Sequence, residues 1–176
     1  MCCDLLCRAA ILRRVEGSKL KPVVLRPPFY GMLLFQQAVR GGAILLGKQQ
    51  LSADLGHIKV WPLMDTANGE LRFVLINKHP KQAATQVLRL PADSSSSYQS
   101  IARLSRLVAQ GEDPLAATSG ITLGGRYYSA GCVQQGRDQT LLLEADAGPT
   151  KQLAWSIYLP PGSATLATVL TAAQAV

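Results

Sequence analysis

A chain of 176 residues is long enough to bury a core, and 48% hydrophobic with 16% charged residues describes a folded protein, not a disordered one. The formal charge of +7 invites a polyanion partner, but residues 1–26 carry six basic and two acidic side chains, a net of +4, which leaves only +3 on the rest. That distribution argues against a nucleic-acid surface, and no apolar run reaches the roughly 18 residues of a membrane span.

Residues 1–21 fit an amphipathic helix through Leu5, Leu6, Ala9, Ile11, Leu12 and Val15. Asp4 and Arg8 interrupt the segment, so it does not read as a signal peptide. Cys2, Cys3 and Cys7 crowd the start, Cys132 stands far downstream, and His57 and His79 lie far from all four. No disulfide framework or zinc spacing can be read, and no metal or cofactor is expected.

The stretch RPPFYGMLLFQQAV, Arg26 to Val39, predicts a helix of about three turns. Pro27 and Pro28 suit its first turn, where the missing N–H costs nothing, and Gly41 and Gly42 follow as terminators. Phe29, Tyr30, Met32, Leu33, Leu34, Phe35, Ala38 and Val39 cover most of its circumference, which predicts burial on two sides.

Strands follow. Ala43 to Leu46 is a short apolar run, and His57 to Met64 alternates, with Pro62 placing that strand near an edge. Asp65 to Gly69 (DTANG) is a turn, and Glu70 to Asn77 returns as a hairpin partner whose apolar centre predicts cover on both faces. Ala84 to Leu90 is another strand, and Pro91 to Ser97 reads as a polar turn. Tyr98 to Val108 fits helix or strand, and its strand neighbours favour strand. Gln110 to Gly120 is a loop before Ile121 to Leu123 and the Gly124–Gly125 turn. Thr140 to Ala145, Leu153 to Leu159 and Ala164 to Leu170 complete the series. The fold class expected is mainly β, an antiparallel β-sandwich preceded by one buried α-helix. Trp61, Phe73, Trp155 and Tyr158 are expected in its core.

No nucleophile elbow or phosphate-binding glycine motif occurs. The serines of residues 94–97 have no histidine or acid at motif spacing, and Glu112 and Asp113 sit in a loop beside Pro114 without polar support. No catalytic, cofactor-binding or metal-binding residue is assigned.

The succession of RPPFYGMLLFQQA, IKVWPLMDTANGELRFVLINK, SGITLGG and LPPGSATLATV, from about Val24 to Val176, resembles the C-terminal region of family 79 glycoside hydrolases, the β-glucuronidase and heparanase-like enzymes. The resemblance implies that Val24 to Gly42 is the last helix of a (β/α)8 barrel and that residues 43–176 form a β-sandwich on its flank, with residues 1–23 an unassigned leader. Retaining glycosidases need two carboxylates about 5 to 5.5 Å apart at barrel strand ends. The family places them upstream of the helix, the acid/base in an Asn-Glu pair that this chain lacks. The expectation is therefore a non-catalytic domain, a fragment or truncated product, whose partner is a barrel acting on glucuronide-containing glycans. A free carbohydrate-binding module and a subunit complementing a separately encoded barrel are the alternatives. Without the barrel, a helix face carrying some of Tyr30, Leu33, Leu34 and Phe35 should be exposed and promote self-association. The resemblance implies a secreted or lysosomal enzyme, and the leader assigns no compartment.

Overall fold

The computed structural model describes residues 15–16, 19–20, 25, 27–46, 56–128, 134–147 and 152–174. Strands β1 (Val15–Glu16) and β2 (Lys19–Leu20) pair antiparallel, so the end of the predicted leader helix is a small hairpin; the remainder of that predicted helix lies outside the described residues.

Helix α1 spans Pro27–Val39 and opens on its two prolines as expected. Gly41 and Gly42 end it with φ of 76° and 79°, the left-handed backbone that glycine adopts without penalty. A Cβ on Gly41 would also collide with the Asp65 carboxylate, so the position is glycine for two reasons.

Strands β3 (Ile44–Leu45), β4 (Ile58–Met64) and β5 (Leu71–Asn77) follow, then β6 (Ala84–Arg89), a single helical turn α2 (Ala92–Ser95) and the long β7 (Tyr98–Ala109). After these come β8 (Ile121–Leu123), β9 (Arg126–Tyr128), β10 (Gln134–Gly136), β11 (Leu141–Glu144), β12 (Asp146–Ala147), β13 (Leu153–Leu159) and β14 (Ser163–Thr171). The polar turn expected at Pro91 to Ser97 is the turn of helix α2, closed where the Ser95 hydroxyl donates to the Pro91 carbonyl at 3.0 Å. Tyr98 to Val108 is a strand, because it lies between β14 on one side and β8 with β11 on the other.

The large sheet runs β10-β9-β8-β7-β14-β5-β4-β3, with β11 beside the first half of β7; the small sheet runs β12-β13-β6. All the pairings are antiparallel, which makes the chain mainly β with one long helix before the sheets. Helix α1 covers one face of the large sheet and the small sheet covers the other. Two cores result. Leu71, Phe73, Leu75, Ala102, Leu104, Ala167 and Val169 meet Leu88, Trp155, Ile157 and Leu159 between the sheets. On the opposite face, Phe29, Tyr30, Leu34 and Ala38 of α1 meet Leu63, Leu123, Ala164 and Leu166.

This layering explains two hydrophobic patterns. Strands β5 and β14 lie under both covers and are buried along most of their length, β5 with a continuous apolar centre from Phe73 to Ile76. Strand β13 has one covered face, so Trp155, Ile157 and Leu159 are buried while Ser156 and Tyr158 point outward. The buried Trp155 indole donates to the Ser100 carbonyl at 2.9 Å, which settles its one polar group. Of the four aromatics expected in the core, Phe73 and Trp155 are there. Trp61 and Tyr158 are exposed, because Tyr158 takes the outward phase of β13 and Trp61 lies where α1 no longer covers the sheet.

The hairpin expected at DTANG forms between β4 and β5. The Asp65 carboxylate accepts from the Ala67 N–H at 2.9 Å, the Asn68 side chain accepts from the Glu70 N–H at 3.0 Å, and Gly69 has φ 72°. The Pro62 carbonyl accepts from the Leu46 N–H at 2.9 Å, so its nitrogen points the same way, toward the short edge strand β3 and away from the full-length partner β5. Strands β9 and β10 have no expectation behind them, being three residues each, too short for a period.

Leu75 is fully buried at the centre of this arrangement. Replacing it with alanine should cost about 2 to 5 kcal/mol in urea denaturation, whereas Leu142→Ser on exposed β11 should stay within about 0.5 kcal/mol of the parent.

Candidate functional site

Helix α1 is fastened to the large sheet at both ends. At its start Phe29 and Tyr30 make edge contacts with Tyr128 of β9, at centroid separations of 5.2 and 6.2 Å, and the Tyr30 hydroxyl accepts from the Tyr128 N–H at 3.1 Å. At its end stands Arg72, a cation with only 1% of its surface exposed, inside an otherwise apolar strand. Its Nε donates to Glu70 Oε1 at 2.6 Å and its Nη2 to Asp65 Oδ2 at 2.6 Å. Its Nη1 donates to the carbonyls of Ala38 at 3.1 Å and Arg40 at 2.6 Å. The Ala38 carbonyl is in the last turn of α1 and the Arg40 carbonyl just beyond it, where intrahelical partners run out and the helix dipole is negative. A guanidinium has five N–H donors in a planar fork, and four are used here.

The two carboxylates arrive from the ends of the DTANG hairpin, so a local turn delivers both counter-ions. Asp65 has its carboxyl held below the usual value of 3.8, by the Ala67 N–H first and by Arg72 as well, against the opposing effect of burial. Arg40 reaches Glu70 at 3.7 Å from the solvent side.

With α1 clamped in this way, its residues separate into two sets. Phe29, Tyr30, Leu34 and Ala38 face the sheet. Phe35 is 65% exposed, and Met32 lies beside it on the outer surface. Burial on two sides, expected from the apolar circumference, is therefore not observed among the described residues: one side is covered and the other is open. Phe35 fulfils the expected exposure. Tyr30 and Leu34 are covered by the sheet, and Leu33 is half-buried.

Between the open flank of α1 and strands β3 and β4 runs a groove of about 590 Å³. Its walls include Gly31, Phe35, Val39, Leu45, Trp61 and Leu63, all without charge, and its floor reaches Val74, Ile76, Leu107 and Ala164. Leu45 is 63% exposed and Trp61 40% exposed at its rim. A glycine at position 31 keeps the helix side of the groove open, since no atom lies within 4 Å of where its Cβ would stand. An apolar cleft of this size can hold apolar side chains but supplies no acid, base or nucleophile.

The residues weighed for catalysis stand elsewhere. Asp113 lies in an exposed loop and accepts from the Leu115 and Ala116 N–H groups, at 3.2 and 3.3 Å, as a turn former. The Ser95 hydroxyl accepts from the Leu153 N–H at 3.2 Å and ties α2 to β13. Among the described residues no group of three His, Cys, Asp or Glu side chains is placed to hold a metal ion. Arg72 and the groove were not foreseen. The signal for Arg72 was a lone cation in ELRFVLIN, with Glu70 two residues before it and Asp65 at the far end of the preceding turn.

No protein-family model and no curated protein sequence matches the chain. Its fold is similar to part of solved glycoside hydrolases. An arabinose-bound family 51 α-L-arabinofuranosidase superposes with a TM-score of 0.55 at 16% identity, over 89% of this chain and 21% of the enzyme. The α-L-arabinofuranosidase from Thermotoga maritima, as an arabinose complex, gives 0.53 at 12% identity, over 92% of this chain and 31% of that one. A further arabinofuranosidase gives 0.51 at 12% identity, over 91% and 31%. The chain thus spans between a fifth and a third of the length of the enzymes it matches, and at these identities the likeness is one of fold.

Replacing Arg72 with methionine leaves Asp65 and Glu70 without their buried counter-ion and should destabilise the chain by about 3 to 5 kcal/mol, measured by chemical denaturation. A lowered folded-state carboxyl contributes stability that is present above its unfolded value and lost as pH falls through the folded one. The parent should therefore lose stability on acidification below the ordinary value of 3.8, and Asp65→Asn should flatten that slope, with Asp138, also lowered, keeping a residue of it.

Proposed function

We propose that the chain is a non-catalytic β-sandwich domain of a glycoside hydrolase of the family 79 kind, packed on a (β/α)8 barrel that supplies both catalytic carboxylates and acts on glucuronide-containing glycans. The observation that carries this reading is the uncharged groove beside α1, with Phe35, Leu45 and Trp61 exposed around it. An exposed apolar surface of this kind is the mark of an interaction site. The choice of a barrel as its occupant is supported by the likeness to enzymes in which this fold makes up about a fifth to a third of the chain. It is further supported by the resemblance of Val24 to Gly42 to a terminal barrel helix, which needs barrel neighbours on its outer side. On this reading the domain's work is to cover the barrel flank, and the outer face of α1 together with the groove is the seam.

A free carbohydrate-binding module has less support. Its sign would be several aromatic rings on one exposed face. Only Phe35 and Trp61 share the α1 groove among the described residues, whereas Tyr158 lies on the outer side of the small sheet under the Arg106 guanidinium, 6.0 Å from the ring centre.

Co-expression with the barrel portion of a β-glucuronidase, followed by size-exclusion chromatography, tests the proposal. Co-elution is expected, together with a gain in the barrel's thermal stability. Phe35→Glu should weaken the complex by about tenfold or more, as buried aromatic anchors do, while leaving the fold of the isolated chain intact. In sedimentation the unpartnered parent should self-associate, and the same substitution should return it toward monomer. Absence of any complex, or equal binding by Phe35→Glu, would overturn the reading.

A further inference from the structure

Beside the C-terminal end of α1, over β7 and β14, lies a second cleft of about 270 Å³ with a different chemistry. It is lined by Gln37, Arg40 and Glu70, by Arg103 and Ser105 of β7, by Thr168 of β14 and by Thr140. The register explains the convergence: Thr168 pairs with Arg72 of β5 on one side and with Arg103 of β7 on the other, so one row of the sheet carries two arginines flanking a threonine on the α1 face. Ser105 follows on the same face, two residues along β7.

The partners of these groups decide what the cleft can hold. Arg72 is spent on Asp65, Glu70 and the helix carbonyls. Glu70 is taken by Arg72 at 2.6 Å, and its contact with Arg40 is 3.7 Å, too long for a hydrogen bond. The Thr140 hydroxyl is committed to Asp138 at 2.6 Å, and Asp138 to Arg126 at 2.6 Å. Among the described residues, the Arg103 guanidinium and the hydroxyls of Ser105 and Thr168 make no hydrogen bond or ion pair with the protein. Of the charged groups that line the cleft, Arg40 and Arg103 are positive and Glu70, already held by Arg72, is negative.

We propose that this cleft binds one oxyanion group, a carboxylate or a sulfate, with Arg103 and Arg40 supplying the charge and Ser105, Thr168 and Gln37 the neutral donors. Guanidinium forks match such groups in geometry, and hydroxyls can turn to donate into the same oxygens. Both arginines are open to solvent, so binding is reversible and weakens with salt. The site is independent of the groove and does not rest on the barrel reading.

The test is an NMR titration of the whole chain with sodium sulfate and, separately, sodium acetate, each against sodium chloride at matched ionic strength. Saturable shifts confined to the amides of residues 37–40, 103–105 and 166–170 are expected with at least one of the two, and the stronger arm identifies the preferred oxyanion. Arg103→Gln should weaken the response by about tenfold, the worth of one charged hydrogen-bond partner, and Arg40→Gln should weaken it as well. Arg89→Gln, on exposed β6 of the small sheet, should leave it unchanged. Non-saturating shifts spread over the surface, or an Arg103→Gln chain that titrates like the parent, would mean an adventitious ion only and would overturn the proposal.

Discussion

The arrangement turns on one buried cation. Arg72 lies in the strand that both cores share, and its fork joins the neighbouring DTANG hairpin and the large sheet to the end of α1, 32 and 34 residues earlier in the sequence. Burying a guanidinium is costly unless every charge near it is matched. Here the matching groups are supplied by local structure. A five-residue turn brings Asp65 and Glu70 together, and a helix ending at two glycines leaves carbonyls free to accept. What the cluster provides is orientation. A helix held only by apolar contacts can roll about its axis, whereas carbonyls held by a planar fork set which residues face the sheet.

That orientation is what places the exposed surface. With Ala38 and Leu34 turned to the sheet, Phe35 and Met32 must turn outward, and the groove between α1 and β4 opens beside Trp61. The apolar surplus of the helix therefore has a structural outcome: one stripe makes a core and the remainder makes a surface. Strand β3 contributes Leu45 to the same surface because it is only two residues long and has no cover of its own. The surface chemistry is uniform on one flank of the helix, apolar in the groove, and changes to arginines and hydroxyls near its end.

Much of this was legible in the amino-acid sequence where local signals and layers agree. The proline pair and glycine pair bounded α1, DTANG announced the hairpin, and LAWSIYL read as a strand, although Tyr158, expected in the core, takes its outward phase. The doubly covered β5 could be read from its unbroken apolar centre. Signals that depend on the third dimension were not legible. Arg72 in ELRFVLIN has no local hint that helix carbonyls 32 and 34 residues earlier will accept from it. Trp61 has the composition of a core residue and is exposed because the helix stops short of it. Strands β9 and β10 follow from pairing with neighbours, not from any period of their own. Family-level resemblance foresaw a sandwich on a glycosidase, and the fold agrees with the coarser part of that, a β-domain fold of the kind found within glycoside hydrolases.

On the proposed reading, the outer face of α1 and the adjoining groove form the seam with a barrel. Hydrogen–deuterium exchange of the chain, alone and in complex with a β-glucuronidase barrel, addresses it most directly. The account predicts added protection over residues 31–39, 43–46 and 60–64, with β6 and β13 unchanged. Protection gained instead over the small sheet, with the α1 region exchanging as it does in the free chain, would contradict it.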